Sequence, residues 1–438
     1  MGKLAITGGK PVRRKPFTAW PAYTQQEVRG LQKVLASRNW GGYPFPNQHA
    51  DAFAQKFARL HGAKYGLAVA NGTVAIEVAL KAAGIKAGDE VIVPAYTWEG
   101  TVGPILLLNA VPVFVDIDPA TYCLDAKLIE AVLTPRTRAI LPVHLAMRFA
   151  DLDEIGRIAK AHNLLVIEDC AHAHGGKWRS KGAGATGDAG CFSFQSSKLM
   201  TAGEGGAVIT SNLEIYERAQ SYTNCGRATA TDRYQHRLIG FNHRITELQA
   251  VILAAQLERM PKQAKVRQAN MDHFEKRLRG TPGLDFLRPD KRQTQVAAYQ
   301  FVFKYLPEHF GGIPRAAFLG ALECEGIPCD GLFYEPVYKS ALFPFSPQDW
   351  PAFTSGQAAP IDLKTHYHCP VSERAAYHES IWLPHHIFLG SEKDTDDIAD
   401  AVLKVCANCE ELRGLKHPAI ETKAMGRAER PRVEKRQW

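Results

Sequence analysis

A single lysine, Lys198, stands between an apolar stretch and a glycine-rich turn, in the segment Cys191-Phe-Ser-Phe-Gln-Ser-Ser-Lys198-Leu-Met-Thr-Ala-Gly-Glu-Gly-Gly206. The apolar part predicts the end of a buried strand. A charged amine at the mouth of such a strand is costly unless it is neutralised or used covalently. Taken alone, however, a loop lysine is most simply a solvent-exposed residue, so a chemical role needs further groups around it.

A candidate phosphate-binding turn, Asn71-Gly72-Thr73, follows the predicted strand Tyr65–Ala70 and precedes an apolar helix. Gly72 allows the backbone to turn tightly. Thr73 opens the helix with a hydroxyl and with backbone N–H groups that can bind an anion. The same pattern also occurs at ordinary helix starts, so this turn by itself leaves both interpretations open.

Two further predicted strands end in side chains that suit a flat, charged ligand. The strand Leu164–Asp169 ends in Glu168-Asp169-Cys-Ala-His172, and Tyr96 and Trp98 follow the strand Glu90–Val93. Open α/β sheets bind their ligands at the carboxyl ends of parallel strands. A carboxylate there could hold a protonated ring nitrogen, a magnesium ion or a ribose, and an aromatic ring could stack on a cofactor. Turn capping and core packing are the alternatives for each fragment.

Considered together, the four fragments indicate one kind of chemistry. A phosphate turn, a stacking aromatic, a carboxylate and a lysine occur in that order, each at the end of its own predicted strand. A pyridoxal-phosphate site needs these parts: a lysine that forms a Schiff base, a carboxylate that keeps the pyridine nitrogen protonated, and an anchor for the phosphate.

The elements that must position these groups follow an alternating pattern. Short apolar β-rich runs alternate with helical stretches such as Asp125–Val132 and Leu152–His162, which predicts an α/β domain with a mostly parallel, seven-stranded sheet and right-handed crossovers. Nearly continuous apolar strands are typical of a sheet that is covered on both faces. The predicted strands are Tyr65–Ala70, Glu90–Val93, Val111–Asp116, Arg138–His144, Leu164–Asp169, Gly190–Phe194 and Ala207–Thr210.

The pattern changes after about residue 245. A long helical stretch, Thr246–Arg279, is followed by two or three strands, of which Tyr299–Lys304 is the clearest, and by further helices. We therefore predict a large domain over residues 1–255 with an N-terminal arm, and a smaller α+β domain over 256–412. Residues 413–438 carry eight Lys/Arg against three Asp/Glu and are expected to form a basic, flexible tail.

Composition and charge exclude several classes of protein. The net charge of +8 comes largely from the basic tail, and the remaining chain has no nucleic-acid-binding motif, so no nucleic-acid partner is expected. No apolar run approaches the roughly 20 residues of a membrane span, and no membrane partner is expected. The first residues lack the apolar core of a signal peptide, which favours a cytoplasmic protein.

The cysteines and histidines do not predict a metal site. Nine cysteines are scattered through the chain, which favours reduced thiols over a disulfide framework. Cys406 and Cys409 form one isolated Cys-x-x-Cys pair. A group of His366, His368 and Cys369 has suitable ligand types, but no metal is expected there.

The chain resembles the DegT/DnrJ/EryC1/StrS family of sugar aminotransferases over about residues 4–412. The matching stretches are Leu4-Ala-Ile-Thr-Gly-Gly-Lys-Pro-Val-Arg13, Asn71-Gly-Thr-Val-Ala75, Asp89-Glu-Val-Ile-Val-Pro-Ala-Tyr-Thr-Trp98, Glu168-Asp-Cys-Ala-His172, Phe192-Ser-Phe-Gln-Ser-Ser-Lys198 and Gly203-Glu-Gly-Gly206. This resemblance implies the fold-type-I architecture of pyridoxal-phosphate-dependent transferases. It also implies a homodimer whose active sites are shared across the interface.

The resemblance implies a role for each matching residue. Lys198 would be the Schiff-base lysine, Asp169 the partner of the pyridinium nitrogen, and His172 a contact of the cofactor ring and its phenolic oxygen. Either Tyr96 or Trp98 would stack on the ring. The residues implied at the phosphate are Gly72, Thr73 and Ser193, together with Asn242, which would reach the phosphate of the partner subunit.

Because a lysine stands at position 198, where dehydratases of the family carry histidine, the resemblance favours transamination by a ping-pong mechanism with glutamine or glutamate as amino donor. One alternative is a dehydratase or aromatising synthase, since Gln195–Gly203 is also similar to aminohydroxybenzoate synthases. A second is an aminotransferase for nucleotide keto-sugars, and a third is a cofactor-binding regulator without turnover.

The acceptor is expected to be a keto-cyclitol or keto-sugar. Asn224-Cys-Gly-Arg227, His368–Arg374 and Ile381–His386 look most like the branch of glutamine:scyllo-inosose aminotransferases, which makes Arg227, His385 and His386 the expected substrate contacts. One position departs from the family: Met147 stands where a glycine is usual, so the turn around it could have a different shape.

Overall fold

The computed structural model describes residues 2–42, 45–227, 235–341 and 366–424. In these ranges no helix has both the length and the apolar character needed to cross a membrane. Predictions for residues 425–438 of the basic tail lie outside the described residues.

A seven-stranded sheet forms the centre of the first half of the chain, in the strand order β1-β9-β8-β5-β4-β2-β3. All pairs from β8 to β3 are parallel, and β9 runs antiparallel to both of its neighbours. This confirms the mostly parallel sheet predicted from the apolar runs. The strands are β1 Tyr65–Val69, β2 Glu90–Pro94, β3 Val111–Val115, β4 Thr137–Ile140, β5 Leu165–Asp169, β8 Ala189–Ser193 and β9 Gly206–Thr210.

Helices cover the sheet because their apolar positions recur at helical spacing. The longest, α7, begins after Thr246, whose hydroxyl and the Gln249 side chain form a capping box. The α-helices described are α1 Gln25–Ser37, α2 Gln48–His61, α3 Gly72–Ala82, α4 Glu99–Leu107, α5 Leu152–His162, α6 Leu213–Thr223, α7 Glu247–Leu278, α8 Arg315–Cys324, α9 Pro370–Arg374, α10 Glu392–Ala407 and α11 Pro418–Ala424.

Two predicted elements differ from the structure. The helix predicted over Asp125–Val132 is wrong: the segment forms two short 3₁₀ turns, Ala126–Leu128 and Glu130–Val132. The Asp125 side chain caps the first turn by accepting the N–H of Lys127, and one turn without a long apolar face gains too little from packing to extend. The fourth strand ends at Ile140 rather than at His144, because Pro142 has no N–H for the ladder; the pairing continues as a single bridge between Val143 and Asp169.

The second half of the chain builds a smaller antiparallel sheet in the order β10-β12-β13, from Leu284–Phe286, Gln300–Tyr305 and Ser380–Pro384. One strand of this region pairs elsewhere. Strand β11, Gln293–Gln295, joins the two-residue strands β6 (Lys177–Trp178) and β7 (Lys181–Gly182), which belong to the first half. The two halves therefore share a sheet.

A buried carboxylate fixes the N-terminal arm to the second half. Glu325 is fully buried and accepts the backbone N–H groups of Ala5 and Val12 at 2.9 and 3.0 Å. Lys404 of α10 donates to the same carboxylate at 2.9 Å, which balances its charge. This anchor explains why the first residues follow a defined path instead of remaining loose.

Candidate active site

Lys198 lies in a tight turn just beyond β8. Its backbone N–H donates to the carbonyl oxygen of Gln195 at 2.8 Å, and Leu199 and Met200 behind it are buried. The side chain extends toward the second half of the chain, where Nζ lies 4.5 Å from the centroid of the Tyr299 ring. The buried side chains of Leu199 and Met200 therefore anchor the turn in the core. The Lys198 amine lies near enough to Asp169, at the end of β5, to influence its charge.

The predicted phosphate turn is the start of α3. The helix begins at Gly72 rather than at Thr73, because the side chain of Asn71 caps it by accepting the N–H of Val74 at 2.9 Å. The N–H groups of the first turn then point out of the helix end, where an anion is favoured. Gly72 also lies against Ser193 of β8: a Cβ at this position would come 2.5 Å from the Ser193 Cβ. Gly72 and Ser193, two of the residues expected at the phosphate, are thus in contact, and Thr73 follows Gly72 in the first turn of α3.

Asp169 ends β5 with its carboxylate buried among the strand ends. One oxygen accepts the Thr101 hydroxyl at 2.9 Å, and the other accepts the backbone N–H of Ala171 at 3.0 Å. Burial raises the pKa of Asp169 above its usual value, and these hydrogen bonds offset only part of that effect. A cation beside this carboxylate would therefore be strongly stabilised, as a protonated ring nitrogen is.

His172 is buried and fixed on both ring nitrogens. Nδ1 accepts the backbone N–H of Ala146 at 3.1 Å, and Nε2 lies 3.0 Å from the hydroxyl of Tyr334. Burial places the pKa of His172 well below its usual value, so the ring is neutral and Nε2 carries the proton. The turn that supplies the Ala146 N–H has its left-handed residue at Ala146, with φ 55°, and not at the neighbouring Met147.

The two candidate stacking residues lie in different environments. Tyr96 is fully buried, and its ring packs edge-on against Tyr122 and Trp382, so no ring face remains for a ligand. Trp98 is 45% exposed, next to α4 and the phosphate turn: a Cβ at Gly100 would come 2.6 Å from the Trp98 ring and 2.9 Å from the Thr73 hydroxyl. Of the pair, only Trp98 can offer a ring face to a ligand.

Glu168, beside Asp169, has a structural task. Burial alone would raise its pKa, but hydrogen bonds from His144 and from the backbone of Gly184 and Gly187 lower it. His144 and Glu168 lie with Cys170 in a cluster that has metal-ligand types. Because Nδ1 of His144 already accepts the N–H of Ala150 at 3.3 Å, its Nε2–H donates to Glu168, and the cluster is satisfied without a metal.

The three expected substrate contacts differ in exposure and in the partners they already have. His385 is 1% exposed, and both of its ring nitrogens bond within the protein, to Ser197 and Arg267, so its contact with substrate stays a prediction. His386 is partly exposed, and burial lowers its pKa to about 4. Arg227 bonds to Asn224.

Asn242, expected at the phosphate of a partner subunit, is exposed. Its segment lies beside the phosphate turn of its own chain, because the neighbouring His243 carbonyl accepts the N–H of Ala70 at 2.9 Å. An exposed amide next to the turn is available for contact across an interface.

Three residues of the site were not predicted. Thr101 falls on the first turn of α4, three positions after Trp98, and its hydroxyl next to a strand end was the available signal. Tyr299 and Tyr334 reach His172 from the second half of the chain. No local pattern identifies them, since the contacts depend on how the two halves pack.

The DegT/DnrJ/EryC1/StrS aminotransferase family matches residues 22–403 of the chain. A protein of Streptoalloteichus tenebrarius named "Putative L-glutamine:3-amino-2,3-dideoxy-scyllo-inosose aminotransferase" is 44% identical over 417 residues, which cover 94% of this chain and 99% of that protein. An L-glutamine:2-deoxy-scyllo-inosose aminotransferase of Streptomyces fradiae is 37% identical over 92% of this chain and 97% of its own length.

Among solved structures, that of 3-amino-5-hydroxybenzoic acid synthase superposes with a TM-score of 0.80 at 34% identity, covering 90% of this chain and all of the other. Over nearly the whole length of the chain, both sequence and fold thus match members of this family. The chain belongs to the DegT/DnrJ/EryC1/StrS family and is an aminotransferase.

Proposed function

We propose that this aminotransferase transfers the amino group of glutamine to a keto-cyclitol of the amino-dideoxy-scyllo-inosose type, with pyridoxal 5′-phosphate held covalently by Lys198. The observation that carries the cofactor assignment is the meeting of Gly72, Ser193, Asp169 and Lys198 at adjacent strand ends. Support for the acceptor comes from relatives: three named for 3-amino-2,3-dideoxy-scyllo-inosose are 42–44% identical, and those named for 2-deoxy-scyllo-inosose are 36–37% identical.

The donor set fits the cofactor. Gly72 lacks the Cβ that would fill the space against Ser193, and the first turn of α3 offers N–H groups to a phosphate. Asp169 is a buried carboxylate whose raised pKa calls for a cationic partner, as the protonated pyridine nitrogen would be. The partly exposed ring of Trp98 borders the same space and would cover one face of the pyridine.

When bound, pyridoxal phosphate supplies an electron sink that stabilises negative charge on the substrate carbon. The protein residues do the remaining work. Lys198 would hold the cofactor, and its amine, once free, would carry a proton to and from the substrate carbon that exchanges the amino group. The Thr101 hydroxyl fixes the Asp169 carboxylate in one orientation, in which it would keep a bound ring nitrogen protonated.

Donor and acceptor would use this site in turn. Glutamine would leave as its keto acid before the ketone enters, which predicts ping-pong kinetics with parallel double-reciprocal plots. We further propose a homodimer in which Asn242 reaches the partner's phosphate site. The support is an exposed apolar surface beside it, where Ile239 is 83% and Phe241 53% exposed. Light scattering after gel filtration measures the oligomeric state.

The deciding experiment is a substrate panel on the cofactor-loaded enzyme. Glutamine is paired in turn with an amino-dideoxy-inosose, 2-deoxy-scyllo-inosose, a nucleotide keto-sugar and an aminodehydroshikimate-type ketone, and the products are followed by mass spectrometry. We expect the highest kcat/KM with the first. Preferential amination of the nucleotide sugar, or formation of an aromatic product, would refute the proposed acceptor while leaving transamination intact.

A further inference from the structure

Tyr299 connects the second half of the chain to the reactive amine. It stands just before β12 and is 2% exposed. The His172 ring packs against it with a centroid distance of 4.2 Å, and Lys198 Nζ lies 4.5 Å from its centroid. A lysine amine at this distance over an aromatic face is attracted by the negative charge of the ring quadrupole when it is protonated.

The hydroxyl of Tyr299 holds the ring in this orientation. It lies 2.8 Å from the Ser197 hydroxyl, which itself lies 2.8 Å from the side-chain oxygen of Gln195. The Gln195 oxygen can only accept, so the Ser197 O–H donates to it and the Tyr299 O–H donates to Ser197. The same oxygen accepts the backbone N–H of Ser197, which supports this assignment. Ring and lysine are therefore fixed to the same turn.

Among the described residues, the two rings that contact Tyr299 add no positive charge beside its face. His172 is neutral because burial lowers its pKa far below the usual value, so it adds no positive charge beside the amine. The other ring near Tyr299 is His385, at 6.0 Å between centroids, and burial likewise keeps it neutral. A positive charge that forms on Nζ thus meets the face of Tyr299 and the carboxylate of Asp169.

We propose that Tyr299 is a positioning residue for transamination: its ring face is the seat of the Lys198 amine after the donor has displaced it, and stabilises the positive charge that develops on Nζ as it takes up the substrate proton. This inference rests on the proposed function, in which Lys198 is the proton carrier. A side chain with four rotatable bonds would otherwise leave the reacting carbons once it is released. The Tyr299 ring lies where positive charge develops on Lys198 Nζ. A fixed electrostatic contact at such a position lowers the barrier to proton transfer.

The test varies the negative charge of the ring face at position 299 and leaves the shape of the ring nearly unchanged. Phenylalanine and its mono-, di- and trifluorinated analogues are introduced at position 299, and the half-reaction with glutamine is followed by stopped flow. Each fluorine weakens the negative face, so we expect the rate to fall stepwise, by about 10-fold over the series. The isotope effect with α-deuterated glutamine should rise as proton transfer becomes slower. A flat series with an unchanged isotope effect would overturn the proposal.

Two further variants distinguish the effect of the ring face from the effect of the hydroxyl and from a loss of folding. Tyr299→Phe keeps the face and should stay within about 3-fold of the native half-reaction rate. Tyr299→Leu removes the aromatic face, so its half-reaction rate should fall further than that of Tyr299→Phe. Borohydride should still trap the cofactor on Lys198 in this variant. If Tyr299→Leu does not fold, the fluorinated series alone decides. If the native enzyme shows no cofactor trapped on Lys198, the proposed function fails instead of this inference.

Discussion

The buried His385 donates its Nε2–H to the backbone carbonyl oxygen of Ser197, 3.1 Å away and one residue before Lys198. The direction of this bond is fixed by Arg267, whose guanidinium can only donate and lies 3.4 Å from Nδ1. Nδ1 is therefore the acceptor and Nε2 carries the proton. Although it was expected to contact substrate, His385 holds the turn that carries the reactive lysine.

Replacement of His385 should therefore affect the rate more than substrate affinity. We expect His385→Leu to lower kcat by about 10-fold, because a displaced lysine is poorly aligned, with KM for both substrates little changed. His385→Gln keeps an N–H donor for the Ser197 carbonyl and is the matched control, with a smaller loss. Steady-state kinetics of both variants measure the change in kcat separately from the change in KM. An increase confined to the acceptor KM would instead indicate substrate contact.

Replacement of Lys198 tests the central assignment. Lys198→Ala should lose the covalent attachment of pyridoxal phosphate and lower turnover by about 1,000-fold or more, because anchor and proton carrier disappear together. Lys198→Arg keeps a positive charge and should be equally inactive. Borohydride reduction followed by mass spectrometry of the Lys198 peptide reads out attachment independently of activity. Full turnover by the alanine variant would contradict the assignment.

Replacement of Asp169 should stabilise the enzyme without cofactor and lower the activity of the enzyme with cofactor. Without cofactor, Asp169→Asn should raise the free energy of unfolding near neutral pH, because the raised pKa shows that burial disfavours the ionised carboxylate. The gain should shrink as the pH falls toward about 3.9, where the carboxyl is also protonated in the unfolded chain. With cofactor, the variant should lose about 100-fold in kcat because the ring nitrogen loses its counter-charge.

Thermal unfolding of the apoenzyme across acidic and neutral pH, with kinetics of the loaded form, checks both halves of this prediction. Thr101→Val serves as the partial variant, since it removes one hydrogen bond to the same carboxylate and keeps the charge. Equal stability of Asp169→Asn and the native apoenzyme at every pH would show that the carboxylate is not strained by burial.

Arg267 should limit stability. Its guanidinium is buried, Nε and Nη2 have no hydrogen-bond partner among the described residues, and burial lowers its pKa to about 9. Arg267→Met should raise the free energy of unfolding by about 1–4 kcal/mol at neutral pH. The gain should shrink as the pH rises through 9, where the native side chain loses its charge.

Arg259, on the same helix, is the matched control for Arg267. It forms an ion pair with Glu27 and donates to the Ala22 carbonyl at 2.7 Å, so Arg259→Met should destabilise the protein. Urea unfolding of both variants at neutral and alkaline pH gives the two values. A loss of stability in Arg267→Met would mean that the guanidinium has a favourable counter-charge in the assembled protein.

The N-terminal arm should depend on one buried carboxylate. Glu325→Gln leaves Lys404 without its counter-charge, and should cost about 3–5 kcal/mol of stability. It should also make the bond between Lys3 and Leu4 accessible to trypsin, since the arm is released. Glu154→Gln, which breaks only a surface pair with Arg157, should leave stability unchanged. Equal protease resistance in both variants would contradict the anchoring role.

The sequence was sufficient for the sheet and for the groups at its strand ends, because both follow from local patterns. Apolar runs placed all seven strands, and Gly72, Asp169 and Lys198 could be located since each follows such a run. Capping is equally local: Thr24 begins α1 with a capping box, because Glu27 stands three residues later in the sequence. Periodicity and turn chemistry depend on neighbours along the chain, which is why they could be identified without coordinates.

Contacts between distant segments could not be predicted. The positions of Tyr299 and Tyr334 at His172, and of His385 behind Ser197, depend on the packing of the second half against the first. The choice between Tyr96 and Trp98 was equally undetermined, because both follow the same strand and only the surrounding packing buries one of them. Residue types indicated the chemistry of the site. Only the tertiary structure shows which of two similar residues, such as Tyr96 and Trp98, is placed to take part in it.

The pairing of β11 with β6 has a consequence for recombination between relatives. A chimera joined near residue 256 would receive Gln293–Gln295 from one parent and Lys177–Trp178 from the other, and the segment leading to Tyr299 would have to match both. Exchange of acceptor preference by swapping halves therefore requires that residues 177–182 and 293–299 come from the same parent. Evolution of this enzyme is constrained in the same way, because the two segments must change together.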